Sequence, residues 1–273
     1  PLYAVRSALE RIERGDFDAR LELDSRDEFG ELARTLNGMA KALKERETLK
    51  SAFARYVSRQ VMENILSSDG KPNLRGDRRT VTVLFSDIRD FTRIAEGMPP
   101  EGVVQFLNEY FARMITIIFK HKGTLDKFLG DGIMAIFGAP IDDPEHEKHA
   151  VLAALEMQAA LGDLCQIWVQ EGREPIRIGI GIHSGEAIVG NIGSDERMEY
   201  TAIGDTVNLA SRLESVTKEL GVDILISERT LQGVKDTFQV ARQGPIQVKG
   251  RAAPVETYVV KGLRIVGEAP PSS

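Results

Sequence analysis

The sequence predicts a short helical coiled-coil module followed by a layered domain of strands and helices, and three observations carry that prediction. Apolar residues recur at steps of three and four from Leu2 to Leu43, in a stripe too narrow for the face of a large core. From about Thr80 onward, apolar runs of strand length alternate with longer amphipathic stretches. Two of those runs, VLFSDIRDFT at Val83–Thr92 and DKFLGDGIMAIFG at Asp126–Gly138, each carry one aspartate to a strand end or turn, Asp87 and Asp131. Mixed strand order with interspersed helices fits an α+β or an α/β sandwich.

In the first module, Leu2, Val5, Leu9 and Ile12 form one stripe, and Gly15-Asp16-Phe17 breaks it. A second stripe runs Phe29, Leu32, Leu36, Met39, Leu43, the spacing of a coiled-coil seam. Two short helices with such seams cannot bury themselves alone, so a parallel dimer is expected; surface packing on the next domain is the alternative. After Leu43 the seam changes phase, with Leu49, Phe53 and Tyr56 apolar where Arg46 and Lys50 would continue it. Such a shift locally rewinds a coil or marks its end. The division expected is 1–46 for the module, 47–76 for a coiled-coil linker, 77–262 for the main domain and 263–273 for a disordered tail.

Within the main domain, Thr80–Ile88 reads as a strand and Pro100–Lys122 as an amphipathic helix. Thr124–Leu129 and Ile133–Phe137 read as a hairpin around Gly130-Asp131-Gly132, and Glu145–Gln170 as a helix with Pro144 near its first turn. Ile176–Ser184 and Glu186–Asn191 read as a strand pair about Gly185, with Met198–Ile203 as one more strand. A helix follows from about Asp205 to Leu220, then short strands at Asp223–Ser227, Phe238–Arg242 and Glu256–Val260.

Composition narrows the function. The 273 residues, 42% hydrophobic, can hold one sizeable core plus a smaller module. A net charge of −6 argues against a protein built to coat nucleic acid. The single cysteine, Cys165, excludes an internal disulfide and reads as helix packing among Leu161, Leu164 and Trp168. No stretch approaches the roughly 18–20 apolar residues that cross a bilayer. Because the chain starts at Pro1 without Met, it reads as a piece of a longer protein, with an upstream sensor and membrane region outside it.

The chemistry begins with the two aspartates. Paired carboxylates at neighbouring strand ends suit Mg²⁺, which takes one or two carboxylates plus phosphate oxygens. Alone, Asp87 could equally be a helix N-cap. The turn Ile88-Arg89-Asp90-Phe91-Thr92 follows it with backbone N–H groups free to meet phosphate. In TAIGDTVNLASRLE, Asn208 and Arg212 are four apart and share one helix face; Arg212 suits developing phosphoryl charge and Asn208 a sugar, unless both are simply solvated. His183 in GIHSG invites a general-base role but reads better as a hydrogen-bonded structural histidine.

FSDIRDFT, DKFLGDGIMAIFG, GIHSGEAIVGNIG and YTAIGDTVNLASRLE together resemble the class III nucleotidyl cyclases, over about Val81–Lys261. Pro1, Gly15-Asp16-Phe17 and DSRDEFGELARTLNGM at Asp24–Met39 resemble a HAMP signalling module. The resemblance implies an α+β, ferredoxin-like catalytic domain that works as a homodimer with two shared sites. It implies Asp87 and Asp131, with Ile88, at two Mg²⁺ or Mn²⁺ ions per site, and Ile88, Phe91, Thr92 and the more weakly matched Lys249 at the triphosphate. Asn208 and Arg212 would come from the other subunit as the transition-state pair.

Lys127 and Thr201 fall on the purine-selecting positions. A lysine can reach adenine N1 and Thr201 can accept from N6, whereas guanylate cyclases of the family usually carry Glu and Cys there. Thr201 also departs from the commoner Asp, as in a bacterial subgroup. The reading implied is a cytoplasmic adenylate cyclase converting ATP to 3′,5′-cyclic AMP and pyrophosphate, governed by its HAMP module, with the parent anchored in the membrane. A guanylate cyclase and a non-catalytic relay module are the alternatives. No GGDEF-like signature of a diguanylate cyclase is present.

Overall fold

The computed structural model describes residues 2–22, 27–53, 76–194, 197–247 and 253–264. They belong to two compact units. In the first, α1 (Leu2–Glu13) and α2 (Glu28–Phe53) share a small core of Val5, Ala8, Ile12, Ala33, Leu36 and Ala40. The connector is tied to α2 through Asn37, which accepts from Leu21 N–H at 2.9 Å and donates to Leu21 O at 3.0 Å. The apolar stripes therefore divide. Val5, Ile12 and Leu36 face inward beside three alanines that allow close helix approach, while Leu2, Leu9, Leu32 and Met39 face out. The phase-shift side chains Arg46, Leu49, Lys50 and Phe53, and Tyr56 beyond them, lie outside what is described, as do 54–75 and the tail from 265.

The second unit is built on one eight-stranded sheet, ordered β2-β3-β1-β4-β6-β8-β7, with β5 paired to β4. The strands are β1 (Asp77–Ile88), β2 (Thr124–Leu129), β3 (Gly132–Phe137), β4 (Ile178–Ser194), β5 (Arg197–Ile203), β6 (Ile224–Ser227), β7 (Phe238–Ile246) and β8 (Val255–Leu263). Helices α3 (Phe91–Glu96) and α4 (Pro100–Lys120) connect β1 to β2, and α5 (His146–Gln170) connects β3 to β4. The antiparallel order β2-β3-β1-β4 with these two crossovers is the expected ferredoxin-like α+β core. After β5, α6 (Asp205–Leu220) returns the chain to β6, which pairs with β4 in parallel.

Alternation along β1 makes two layers. Leu84 and Ile88 join Phe106, Tyr110 and Met114 of α4 and Ala150, Met157 and Trp168 of α5 in the larger core. Val81, Val83 and Phe85 face the other way, with Met134, Ile136 and Ala210. Pro100 fits the first turn of α4, where its missing N–H costs nothing. By length and composition α5 could cross a bilayer, contrary to the sequence expectation, but Ala150, Val151, Met157, Leu161, Leu164 and Trp168 pack it into the larger core. Cys165 is buried within it.

One expectation is corrected, and one element was not foreseen. The strand pair about Gly185 is one continuous strand, β4, because its glycines answer a packing need and make no turn. Gly179, Gly181 and Gly185 lie under α6; a Cβ on Gly181 would stand 2.0 Å from Glu214 N, and one on Gly185 2.5 Å from Thr206 Oγ1. Second, a short helix, α7 (Glu228–Val234), follows β6, capped by the Ser227 hydroxyl, which accepts from Thr230 N–H at 3.3 Å.

Candidate active site

Asp87 is the penultimate residue of β1, paired with Gly179, and Asp131 sits in the β2–β3 turn, where Gly130 adopts φ 66°. The turn folds back against the strand end: a Cβ on Gly132 would lie 3.4 Å from Asp87 Oδ1. The two carboxylates come within hydrogen-bonding reach of each other. Burial, then the hydrogen bond and charge of Asp131 and the charge of Glu214, push Asp87 up to about 7, while a 3.1 Å bond from Ile88 N–H works the other way.

That surplus of negative charge is a fit for a cation. Among the described residues no three His, Cys, Asp or Glu side chains converge as a metal site, so further oxygens must come from backbone or ligand. Asp87 is not an N-cap. The residue before α3 is Asp90, at φ 55° and ψ 32°, whose carboxylate binds Lys218 of α6 at 2.7 Å. The first bond of this turn runs from Ile94 N–H to Asp90 O, so the N–H groups of Phe91 and Thr92 have no intrahelical acceptor. Arg89 donates to Val222 O at 2.8 Å, and its Nη1 is buried without a partner among the described residues.

Lys127 and Thr201 come together in a second cluster. Lys127 on β2 bonds Glu199 Oε2 at 2.8 Å and approaches Asp126 Oδ1 at 3.4 Å. Thr201 on β5 donates to Asp126 Oδ2 at 2.7 Å, and Ala202 N–H donates to the same oxygen at 3.3 Å. Against the pull of burial, the bond to Glu199 and the charge of Asp126 hold Lys127 above the usual lysine range. Burial raises Asp126, and the bonds from Thr201 and its neighbours oppose it.

Sequence reading missed Asp126, because neighbours on a regular strand point to opposite faces. A bulge between Leu125 and Lys127 breaks that rule and sets Asp126 beside Thr201 while Lys127 still meets Glu199. Glu199, two residues before Thr201 on the same strand face, was legible in principle.

Asn208 and Arg212 are exposed on one face of α6, and among the described residues neither side chain has a hydrogen bond or ion pair. Thr206, Leu209, Ala210 and Leu213 turn the opposite face of the helix into the unit. Among the described residues, nothing within the chain completes this pair. His183 is buried, its Nδ1 2.7 Å from Ser227 Oγ, as a structural histidine should be. Lys249 lies outside the described residues.

Residues 76–262 match the family model for the adenylate and guanylate cyclase catalytic domain, and residues 1–45 that for the HAMP domain. The chain belongs to the class III cyclases. Among relatives of this cyclase, adenylate cyclase 1 of Rhizobium meliloti is 36% identical over 91% of the chain and 37% of its own length. The guanylyl cyclase Cya2 is 41% identical, covers 72% of this chain and 100% of its own, and superimposes with a TM-score of 0.66. The adenylyl cyclase CyaB from P. aeruginosa is 40% identical, covers 70% and 98%, with the same TM-score of 0.66. The cyclase chain thus spans less than half the length of the curated relatives it matches.

Proposed function

We propose that this chain is the HAMP-linked catalytic part of an adenylate cyclase, converting ATP to 3′,5′-cyclic AMP and pyrophosphate at two sites shared across a homodimer. The observation that carries the choice of base is the meeting of Lys127 and Thr201 on Asp126. Likeness alone does not choose, since an adenylyl and a guanylyl cyclase are equally similar. Lys127 donates to adenine N1, and Thr201 accepts from the N6 amine. Guanine offers a protonated N1 and an O6 acceptor at that edge, and each buried mismatch costs roughly 1–3 kcal/mol.

Asp87 and Asp131, with the Ile88 carbonyl, would hold Mg²⁺ or Mn²⁺, two per site. Bound there, a divalent cation lowers the pKa of the ribose 3′-hydroxyl and neutralises the leaving pyrophosphate. The turn N–H groups from Ile88 to Thr92, together with Lys249, hold the triphosphate. Asn208 of the second chain orients the ribose. As O3′ bonds to the α-phosphorus and the bond to pyrophosphate breaks, Arg212 of that chain stabilises the charge on the α-phosphoryl oxygens. Sharing the site explains why Asn208 and Arg212 stand exposed and without partners among the described residues. The outward Leu2, Leu9, Leu32 and Met39 suit a helical seam between two HAMP modules. The HAMP domain fits a membrane-linked signalling parent with this part in the cytoplasm, divided as 1–46, 47–76, 77–262 and 263–273.

The test is complementation. Asp87→Ala and Arg212→Ala chains are each inactive with ATP, and a 1:1 mixture recovers about a quarter of wild-type rate, since half the dimers hold one intact site. No recovery in verified heterodimers removes the shared-site reading, and GTP turnover above ATP turnover by the wild type removes the choice of adenine.

A further inference from the structure

A hydroxyl is an ambiguous reader of a base. It carries one hydrogen to give and two lone pairs to receive, and it rotates to suit either partner. A lone threonine opposite a purine therefore accepts from the N6 amine of adenine or donates to the O6 of guanine with equal ease. Thr201 is not in that position. Its hydrogen goes to Asp126 Oδ2 at 2.7 Å, and an ionised carboxylate can only accept. The Asp126 side chain is fully buried, so water does not compete for the bond, and Ala202 N–H holds the same oxygen in place at 3.3 Å. The other oxygen, Oδ1, makes no hydrogen bond of good geometry and faces the Lys127 ammonium at 3.4 Å.

We infer that Asp126 is a positioning residue for base selection, fixing Thr201 as an acceptor and thereby making the pocket reject guanine at two points. The inference rests on the adenylate cyclase reading above. With the hydroxyl hydrogen committed, Thr201 offers only lone pairs to the nucleotide. Lys127 offers only hydrogens. Adenine meets both, with an amine at C6 and an acceptor at N1. Guanine and hypoxanthine meet neither, because O6 faces lone pairs and N1–H faces an ammonium. Without Asp126, Thr201 turns its hydrogen outward and the mismatch at O6 disappears, leaving Lys127 alone to discriminate.

The experiment measures kcat/KM of the whole chain with ATP, GTP and ITP for the wild type, Asp126→Ala, Asp126→Asn, Thr201→Val and the double variant Asp126→Ala with Thr201→Val. ITP carries the O6 and N1–H of guanine without its 2-amino group, so it isolates the edge in question. Asp126→Ala is expected to lower the ATP/ITP and ATP/GTP ratios by about tenfold or more, because a site built to bond one edge loses that requirement. Asp126→Asn keeps both ratios within about threefold, since its amide oxygen still accepts from Thr201 and Ala202. In the Thr201→Val background, Asp126→Ala moves the ratios by less than about twofold, because the hydroxyl it acts through is gone.

Equal loss of rate with all three nucleotides, at unchanged ratios, overturns the inference and makes Asp126 a structural residue only. A ratio change that persists undiminished in the Thr201→Val background also overturns it. Should Asp126→Ala fail to fold, the ratio in Asp126→Asn against Asp126→Ser decides, the serine being too short to reach Thr201. A wild type that prefers GTP defeats the adenylate cyclase reading itself, whereas an ATP-preferring wild type with unmoved ratios defeats this inference alone.

Discussion

Replacing Gly181 by Ala tests how the cyclase domain positions α6. The added Cβ would stand 2.0 Å from Glu214 N, 2.6 Å from Ala210 O and 2.7 Å from Glu214 Cα, all backbone atoms. Ordinary contact begins at 3.4 Å, so helix and strand must separate by about 1.4 Å, and no rotamer can absorb it. Overpacking of this kind costs about 1–3 kcal/mol. At roughly 2–4 °C per kcal/mol for a domain of this size, Tm falls by up to about 12 °C. A displacement above 1 Å of the helix carrying Asn208 and Arg212 lowers kcat by about 10²-fold. The control is Gly162→Ala in α5, where nothing lies within 4 Å. There the same methyl raises stability by about 0.5–1 kcal/mol and leaves turnover alone. Urea melts and cyclic AMP assays on both variants read the outcome. Wild-type stability and kcat for Gly181→Ala would refute the reasoning that backbone contact sets α6.

Asp87, held at about 7 against the ordinary 3.8, gives a signed pH dependence. Because the folded value lies above the unfolded one, cation-free stability is greatest below about 4 and declines as pH rises through about 7. Divalent cation binding needs the ionised form, so affinity for Mn²⁺ alone rises over the same range, by up to about tenfold per unit below 7. Calorimetry at pH 6 and pH 8 checks it, and equal affinities contradict it. Trp168→Ala, which empties a buried site stacked 4.7 Å from Phe106 and leaves Glu109 without its 2.9 Å indole bond, costs about 3–5 kcal/mol in urea melts. A chain begun at Leu74 is expected to differ from the present one in cyclic AMP production by at least about fivefold, as control through the first module requires; equal rates would make that module a dimeriser only.

The residues proposed to carry the chemistry were readable because their signals are local. Asp87 follows an apolar run, Asp131 sits between two glycines, and Asn208 and Arg212 are one helical turn apart. What escaped reading depends on the other side of a contact. The glycines of β4 look like turn residues until α6 is seen lying on them. The outward half of each HAMP stripe looks the same in sequence as the inward half, because an alanine beside a leucine gives no sign which helix it will meet. Asp126 was hidden for a third reason. Regular alternation would set it on the face opposite Lys127, and only the bulge at Leu125/Lys127 brings it to Thr201.

The turn after β1 is fastened to the far end of α6 at two points, Asp90 to Lys218 and Arg89 to the Val222 carbonyl just beyond the helix. Along its length α6 rests on the bare backbone of β4, itself laddered to β1 through twelve residue pairs ending at Ile88. Strand end, ladder and helix thus form a closed mechanical loop. A displacement of the helix bearing Asn208 and Arg212 is therefore expected to reach the strand end that carries Asp87. Such a frame has little freedom to tune one group against the other within a chain. If the sites are shared as proposed, control over turnover is then expected from movements of whole catalytic units.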